Sequence, residues 1–392
     1  MKRLILSIFA GLLSLHICAQ ITGDGYYRVS NYKTGRYAYV TDNTGSINVQ
    51  ATTAEMGAIQ LWTDHSRTYS DPASVIYIEK KGSNSGGDYY DLQSQGTSTY
   101  SIIGYYLYAH FSGGFYQVYA EGKYLSDDNY GTGPQGSMGT KRTGDYRKWI
   151  VSRIDNQDEF FGITPSIETG GRKFHPFYAD FGFSCLSDGM KVWYISEVDS
   201  DGVVIKEFTG DTVPARTPVI IECSSSDPSL NRIDLIKDYT AGPADNKLKG
   251  VYFNNPKRTK SQDARTVFDP ATMRVLGVMA NGSLGYVLSD VQPDADTHKQ
   301  SLLANQSYLP VGEGIPNSVP IITEAEYQAL LARRADSIAA IVASVNVAVS
   351  AKPLNKVYQI SGRFVSELTA EEIEMLPAGV YIIGKRKVVI ER

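Results

Sequence analysis

The sequence predicts a mainly β protein made of several β domains and one helix, and three observations lead to this prediction. The chain of 392 residues contains 27 Tyr and 36 Gly but only 5 His, a balance that favours aromatic strands joined by tight turns. Short apolar stretches recur between turn signals along most of the sequence. The fractions of apolar residues, 42%, and charged residues, 20%, are typical of a globular chain with two or three hydrophobic cores.

Charge and motif content exclude several classes of function. The formal net charge is -4, and no Lys/Arg cluster offers a basic field, so we expect no nucleic-acid partner. The sequence has no Cys-x-x-Cys pair and no Cys/His cluster, so it predicts neither a metal site nor another cofactor. It also lacks Gly-x-Ser-x-Gly and His-Glu-x-x-His, so no catalytic residues are nominated and we expect a non-enzyme.

The first 19 residues are typical of a secretory signal peptide. Lys2 and Arg3 precede an apolar run over residues 4–17, and Ala19 provides a small residue before Gln20. A lipid anchor on Cys18 is the less favoured alternative, because Ile17 stands where that signal requires a small residue. No later stretch reaches about 18 apolar residues. We therefore expect a secreted or outer cell-surface protein without a membrane span in the mature chain.

Two cysteines remain after removal of the signal peptide. Cys185 and Cys223 are a possible disulfide in a chain destined for an oxidising location. Both also stand beside apolar runs, where a buried free thiol packs as a small apolar group. The sequence leaves both alternatives open.

Three similar segments fill residues 22–155. Residues 25–43, 86–96 and 104–129 each place Tyr pairs beside glycine turns, followed by a Gly-x-Tyr and a polar Asp/Asn/Gln cluster. Alternation in the first segment predicts half-buried strands. Between and after the segments, we expect Trp62, Ile76 and Trp149 to be large core residues.

This pattern resembles the lobes of a ricin-type β-trefoil. The matching residues are Gly35, Tyr37, Gly87, Tyr89, Gly122, Tyr124 and Leu125, with Trp62 (QLW) and Trp149 (RKW) at the positions of the Gln-x-Trp motif of that family. The resemblance implies a β-trefoil over residues 22–155, and members of the family commonly bind sugars through an aromatic platform with Asp, Asn or Gln in each lobe.

That resemblance nominates one set of sugar-binding residues in each lobe. The candidates are Tyr37, Asp42 and Asn43; Tyr89, Asp91 and Gln93; and Tyr124, Asp127 and Asn129. A pyranose has an apolar face for stacking and hydroxyls for polar contacts, so these residue types fit that ligand. The alternative for each set is a core tyrosine followed by a turn whose polar side chains bond their own backbone.

Residues 156–320 predict a second antiparallel domain, a β-sandwich. Two apolar strands flank Asp199-Ser200-Asp201-Gly202, which predicts a hairpin rather than part of a calcium loop, and Asp294-x-Asp296 is interpreted as a solvated loop. The strand beginning Met190-Lys191-Val192-Trp193 and the segments 213–220, 246–250 and 304–309 are similar to a β-module common in large secreted proteins of anaerobic Gram-negative bacteria. That resemblance implies a spacer or accessory role.

The tail contains a helix and a last β-unit. A capping box at Thr323 and Glu326 and helical spacing of apolar residues predict an amphipathic helix and linker over 323–345. Residues 355–392 are similar to the C-terminal sorting domains read by the type-nine secretion system, on the matches Val357-Tyr358, Gly362-Arg363, residues 376–382 and residues 387–390. The resemblance implies the secretion machinery as a partner; the alternative is a small β-unit that completes another domain.

Together these features predict a secreted or cell-surface, non-catalytic, lectin-like protein that binds a glycan or polysaccharide. The first alternative is a structural or adhesive surface protein that binds protein partners. The second is a secreted hydrolase whose active site, in the middle domain, would be marked by a deep pocket with a buried pair of carboxylates.

Overall fold

A computed structural model describes residues 21–40, 59–62, 68–85, 87–96, 107–112, 114–120, 123–127, 137–139, 144–252, 266–293, 298–350 and 355–391. The predicted signal peptide, Asp42, Asn43, Asn129 and the Asp294-x-Asp296 segment lie outside these ranges. The chain divides into two compact units, residues 1–324 and residues 325–392. The first unit contains both the trefoil and the sandwich.

Ten strands form the N-terminal sheet. They are β1 (Gly25–Asn31), β2 (Tyr37–Val40), β3 (Ile59–Trp62), β4 (Ile76–Asn84), β5 (Gly87–Ser94), β6 (Leu107–Ser112), β7 (Phe115–Ala120), β8 (Lys123–Ser126), β9 (Ser137–Gly139) and β10 (Trp149–Arg153). Strands β1, β4, β5, β6 and β7 pair in that order, and β10 pairs with both β7 and β1, so the pairing closes into a barrel. Hairpins β2–β3 and β8–β9 extend from it. This is the predicted trefoil plan.

The three lobes are unequal in length. Residues 32–75 separate β1 from β4 and residues 121–148 separate β7 from β10, whereas β5 and β6 are separated by residues 95–106 alone. The middle lobe therefore has much less chain than its neighbours between its two barrel strands. That short connection starts with Gln95 and Gly96, which contact the sandwich.

The barrel core matches the prediction for two of the three large residues. Trp149 and Ile76 are buried, and the Trp149 indole donates a hydrogen bond to the Leu125 carbonyl at 3.0 Å. The side chain of Trp62 lies outside the described part of the chain. Through this hydrogen bond, the buried Trp149 indole joins the last barrel strand, β10, to the third lobe.

The expectation of half-buried strands is wrong for β1. Both faces of this strand are covered, and Arg28 on its outer face is 1% exposed. The Arg28 guanidinium donates to the carbonyls of Thr68 and Phe160 and to Glu159. The alternation of apolar and polar residues in β1 predicts one buried face of the strand. It gives no sign that residues 158–160 cover the opposite face.

The described part of the sandwich contains thirteen strands. They are β11 (Phe161–Gly162), β12 (Ile167–Thr169), β13 (Arg172–Phe177), β14 (Gly182–Cys185), β15 (Lys191–Val198), β16 (Val203–Glu207), β17 (Val219–Cys223), β18 (Arg232–Ile236), β19 (Lys249–Val251), β20 (Met273–Val278), β21 (Leu284–Val287), β22 (Gln306–Pro310) and β23 (Val319–Ile322). A three-stranded sheet, β11-β18-β14, accompanies a ten-stranded sheet in the order β12-β13-β17-β15-β16-β23-β21-β20-β22-β19. All described pairings except β16 with β23 are antiparallel.

The predicted hairpin in the sandwich is confirmed. Strands β15 and β16 pair antiparallel, and the backbone N–H of Asp199 donates to the Gly202 carbonyl at 3.0 Å. The Asp199 carboxylate accepts from the Asp201 N–H at 2.9 Å, as expected of a turn side chain.

Trefoil and sandwich share one apolar core. Tyr26, Val75 and Ile154 from the trefoil belong to the same buried cluster as Phe177 and Phe181 from the sandwich. The Tyr26 ring meets the Phe181 ring edge-on at a centroid distance of 5.9 Å. Burial of aromatic rings on both sides explains why contacts group the two domains into one compact unit.

The second unit contains helix α1 (Glu324–Ser350), helix α2 (Ala370–Glu374) and four strands. Strands β24 (Asn355–Gln359), β25 (Phe364–Leu368), β26 (Gly379–Ile383) and β27 (Arg386–Ile390) form an antiparallel sheet in the order β25-β24-β26-β27. Helix α1 runs further than predicted, because no Gly or Pro follows Ser344 until Pro353. Among the described residues, no helix has both the length and the apolarity to cross a membrane.

Candidate functional site

The strongest candidate site is the outer face of the β4–β5 hairpin in the middle lobe. Tyr89, Asp91 and Gln93 alternate along β5 and therefore share one face, while Leu92 between them is buried in the barrel. The register places Glu79 of β4 directly opposite Asp91. Here the structure brings together the three residues that the sequence nominated for this lobe.

Gln93 organises the polar part of this face. Its side-chain amide donates to the Asp91 carboxylate at 2.9 Å and to the Glu79 carboxylate at 3.2 Å. Gln93 itself is buried, whereas Asp91 and Glu79 are half-buried. The amide therefore holds two carboxylates side by side, and carboxylate oxygens act as hydrogen-bond acceptors.

Two lysines balance the carboxylates. The Lys81 ammonium donates to Glu79 at 2.7 Å, and Lys237 of the sandwich comes within 4.0 Å of the same carboxylate. The hydrogen bond from Lys81 is the main cause that holds the pKa of Glu79 below its usual value, with further contributions from Lys237 and Gln93. The face thus carries carboxylates beside ammonium donors, an arrangement that suits a ligand with many hydroxyl groups.

Tyr89 provides an aromatic surface next to these charges. It is half-buried, and its ring lies over Gly82 of β4, where an added Cβ would come within 2.5 Å of the Tyr89 hydroxyl. A bulge in β4 between Lys80 and Gly82 makes this close approach possible. We call the outer surface formed by Tyr89, Asp91, Gln93, Glu79, Lys81 and Lys237 the middle-lobe face.

Two residues of the third-lobe set, Tyr124 and Asp127, are buried. Asp127 is fully buried and forms a bidentate ion pair with Arg36, whose Nε donates at 2.8 Å. Tyr124 is buried as well, with the Arg147 guanidinium over its ring at 5.7 Å. Tyr124 fits the alternative of a core tyrosine, whereas Asp127 pairs with the distant Arg36 and not with the backbone of its own turn, as that alternative expected. Asn129 lies outside the described residues.

The first-lobe set is described in part. Tyr37 is half-buried, and burial is the main cause that raises its pKa to about 12. Asp42 and Asn43 lie outside the described residues. The sugar site proposed for this lobe therefore stays a prediction.

Sequence reasoning missed three members of the middle-lobe face. Glu79 and Lys81 could have been found by pairing IYIEKKG with GDYYDLQS as a hairpin, since that register places Glu79 opposite Asp91. Lys237 gives no such signal, because its contact with Glu79 joins residues of different domains.

The two cysteines are free thiols in the structure. Cys185 ends β14 and is exposed, whereas Cys223 ends β17 and is buried. Burial of the sulfur raises the pKa of Cys185 to about 11 and that of Cys223 to about 12, with a further contribution to Cys223 from the nearby Cys185. Such thiols are poor nucleophiles at neutral pH. The disulfide stays a prediction.

A cavity of about 590 Å³ lies within the sandwich. Its walls are mostly apolar, with Val275, Leu276 and Leu302 among them, and the carboxylates at its lining are Glu168 and Asp290. Both acidic residues are exposed, and Glu168 lies 3.5 Å from the Lys173 ammonium. The described lining therefore has no buried carboxylate pair, the feature that would favour a hydrolase.

No group of three or more His, Cys, Asp or Glu residues that could hold a metal ion occurs in the described part of the chain. The carboxylate pair of the middle-lobe face has two members and two ammonium neighbours, which is a poor donor set for a cation.

Comparisons with known proteins assign no family to this chain. No family model and no curated protein matches it. Among solved structures, a designed threefold-symmetric protein named ThreeFoil is 17% identical, covers 33% of this chain and 100% of its own length, and has a TM-score of 0.21. A mosquitocidal holotoxin is 11% identical, covers 76% of this chain and 34% of its own, and has a TM-score of 0.26. At these TM-scores neither likeness supports an argument, so the trefoil assignment depends on the strand pairing.

Proposed function

We propose that this protein is a non-catalytic carbohydrate-binding protein and that the middle-lobe face is its glycan site. The observation that carries the proposal is the alignment of Tyr89, Asp91 and Gln93 on one side of β5, with Glu79 opposite. Tyr89 would stack on the apolar face of a pyranose, and Asp91 and Glu79 would accept hydrogen bonds from its hydroxyls.

Charge and exposure favour a neutral sugar over other ligands. The Lys81 and Lys237 ammonium groups lie beside the Glu79 carboxylate, so the face offers both acceptors and donors. A half-buried site of this kind is shallow, and binding by one such face is expected to be weak unless several sugar units or several copies of the protein act together.

A glycan array tests the proposal with the chain lacking residues 1–19. Tyr89→Ala and Asp91→Ala are each expected to lower the affinity for the bound glycan at least about tenfold, because stacking or a charge-assisted hydrogen bond is lost. The matched controls are Tyr32→Ala, at an exposed tyrosine of the first lobe, and Asp145→Ala, at an exposed carboxylate paired with Lys148. Binding by the folded protein that all four variants retain equally, or no binding at all, contradicts the proposal.

We also propose secretion to the outer cell surface through the signal peptide and the type-nine sorting tail. Support comes from residues 1–19 and from the sequence matches at Val357, Gly362 and residues 376–382. The test is fractionation of producing cells that express the chain with or without residues 355–392. Intracellular retention of the truncated chain is the expected result, and unchanged export contradicts it.

A further inference from the structure

A second cavity, of about 370 Å³, lies where the trefoil meets the sandwich. Its lining consists of Ser70, Asp71 and Pro72 from the trefoil side and Thr164, His175, Ala304, Asn305 and Gln306 from the sandwich. We call it the junction pocket. Ligand sites are frequent at domain junctions, and this volume is near the lower end of the usual range of about 300–1,000 Å³, which suits a small molecule.

His175 places an imidazole ring in the lining of the junction pocket. It lies on β13, and its Nδ1 is buried without a hydrogen-bond partner among the described residues. Burial lowers the pKa of the ring to about 4, so the imidazole is neutral at physiological pH. A neutral imidazole has one donor and one acceptor nitrogen, and buried polar groups normally have partners.

Gln306 adds a second polar group, and its neighbour Asn305 is fixed in place. The Asn305 side-chain amide donates to Gln95 of the trefoil and to the Tyr178 carbonyl, each at 3.1 Å. Asn305 has a φ of 56°, a left-handed conformation that Asn tolerates better than most residues. Gln306 follows at the start of β22, and its side chain makes no hydrogen bond to the residues that the structure describes.

Hydroxyl groups complete the wall. The Ser70 and Thr164 hydroxyls are 2.6 Å apart and join the trefoil to the sandwich. Asp71 accepts a hydrogen bond from the Ala73 N–H at 3.0 Å and begins the 3₁₀ turn Pro72–Ser74. The lining residues that the structure describes include neither Lys nor Arg.

We propose that the junction pocket binds a small uncharged polyhydroxyl compound of monosaccharide size, with His175 and Gln306 as its hydrogen-bonding residues. Hydroxyls both donate and accept, which matches the imidazole and the amide in the lining. Anionic ligands such as sugar phosphates would find no countercharge and would face Asp71. This site shares no residue with the middle-lobe face, so it does not depend on the function proposed there.

Isothermal titration calorimetry on the chain lacking residues 1–19 tests the proposal. The probes are glucose, galactose, mannose and N-acetylglucosamine, with glucose 6-phosphate as the charged counterpart. We expect at least one neutral sugar to bind with a Kd of about 1 mM or lower and the phosphate to bind at least about tenfold more weakly. Absence of saturable binding by every neutral probe overturns the proposal.

Variants assign the binding to the junction pocket. His175→Phe keeps a ring and removes both nitrogens, and Gln306→Leu removes an amide that has no other described partner; each is expected to lower affinity at least about fivefold. If His175→Phe fails to fold, Gln306→Leu decides alone. His298→Asn, at an exposed histidine with a φ of 54° that Asn tolerates, is the control and should bind normally. Equal affinity in all variants contradicts the assignment.

Asp91→Ala separates the two proposals. It is expected to weaken glycan binding at the middle-lobe face and to leave the calorimetric binding of the neutral sugar unchanged. If Asp91→Ala abolishes the calorimetric signal and Gln306→Leu does not, the sugar binds at the middle-lobe face and the junction-pocket proposal is wrong.

Discussion

Arg28 of the first trefoil strand and Glu159 at the start of the sandwich form an ion pair at 2.7 Å across the domain boundary. The Arg28 side chain is fully buried, and Glu159 is 18% exposed. Burial lowers the pKa of Arg28, and the charge of Glu159 opposes that effect. A buried guanidinium depends on its acceptors, so the stability of the trefoil is tied to residues outside it.

The isolated trefoil is therefore expected to be unstable. A fragment of residues 21–155 lacks Glu159 and the Phe160 carbonyl, so Arg28 keeps only the Thr68 carbonyl among its described acceptors and loses the chain that covers it. It also exposes Tyr26, which packs on Phe181. Urea unfolding followed by circular dichroism should give one transition for residues 21–324 and a much lower midpoint, or no transition, for residues 21–155. Equal midpoints would show that the boundary contacts are dispensable.

Asp127→Asn is expected to destabilise the trefoil by about 3–5 kcal/mol, because it leaves the buried Arg36 guanidinium without a counter-charge. Asp145→Asn is the matched control, since its ion pair with Lys148 lies at the surface, with side chains 47% and 35% exposed, and is worth little. Denaturant midpoints for both variants of residues 21–324 measure the difference. If the two midpoints agree, Asp127 is not structural and a role in binding sugar regains support.

Gly82→Ala is expected to reduce glycan binding without unfolding the protein. The added methyl group would overlap the Tyr89 hydroxyl and push the ring away from the hairpin. The control is Ser83→Ala, at an exposed neighbour on β4, because this change leaves Tyr89 in place. Gly35→Ala is unsuitable as a control, because the φ of 67° at Gly35 disfavours Ala. Array binding and thermal melting of both variants give the comparison. Unchanged binding by Gly82→Ala would mean that the position of the Tyr89 ring does not matter.

Acid should destabilise the protein through His175. The folded pKa is about 4 against an ordinary value of 6.5, so the unfolded chain takes up a proton in this range while the folded chain does not. The contribution of His175 to stability is complete above pH 6.5 and is lost as the pH falls toward 4, at most about 2 kcal/mol between pH 7 and 4.5. Urea unfolding at these two pH values should show a smaller loss for His175→Phe than for the unmodified chain. An identical loss would place the titration elsewhere.

The sequence predicts the β architecture well because its signals are local. Alternation and turn residues locate strands such as β4 and β15, and the turn at Asp199–Gly202 follows from turn chemistry alone. Asp127 shows where local signals fail, since its partner Arg36 is 91 residues away and nothing near Asp127 indicates that it is buried. Lys237 and Gln306 were missed for the same reason: each meets its site through tertiary contacts between distant parts of the chain.

The short connection between β5 and β6 breaks the threefold repetition of the trefoil. In a symmetric trefoil, three equivalent arms point outward and the domain has no preferred direction. Here the middle lobe is attached to the sandwich, because Gln95 and Gly96 accept hydrogen bonds from Asp180 and Tyr239 of the sandwich. The middle-lobe face therefore keeps one orientation relative to the sandwich, and if it binds a polysaccharide as proposed, the ligand is held in a fixed direction and does not move with a tethered domain.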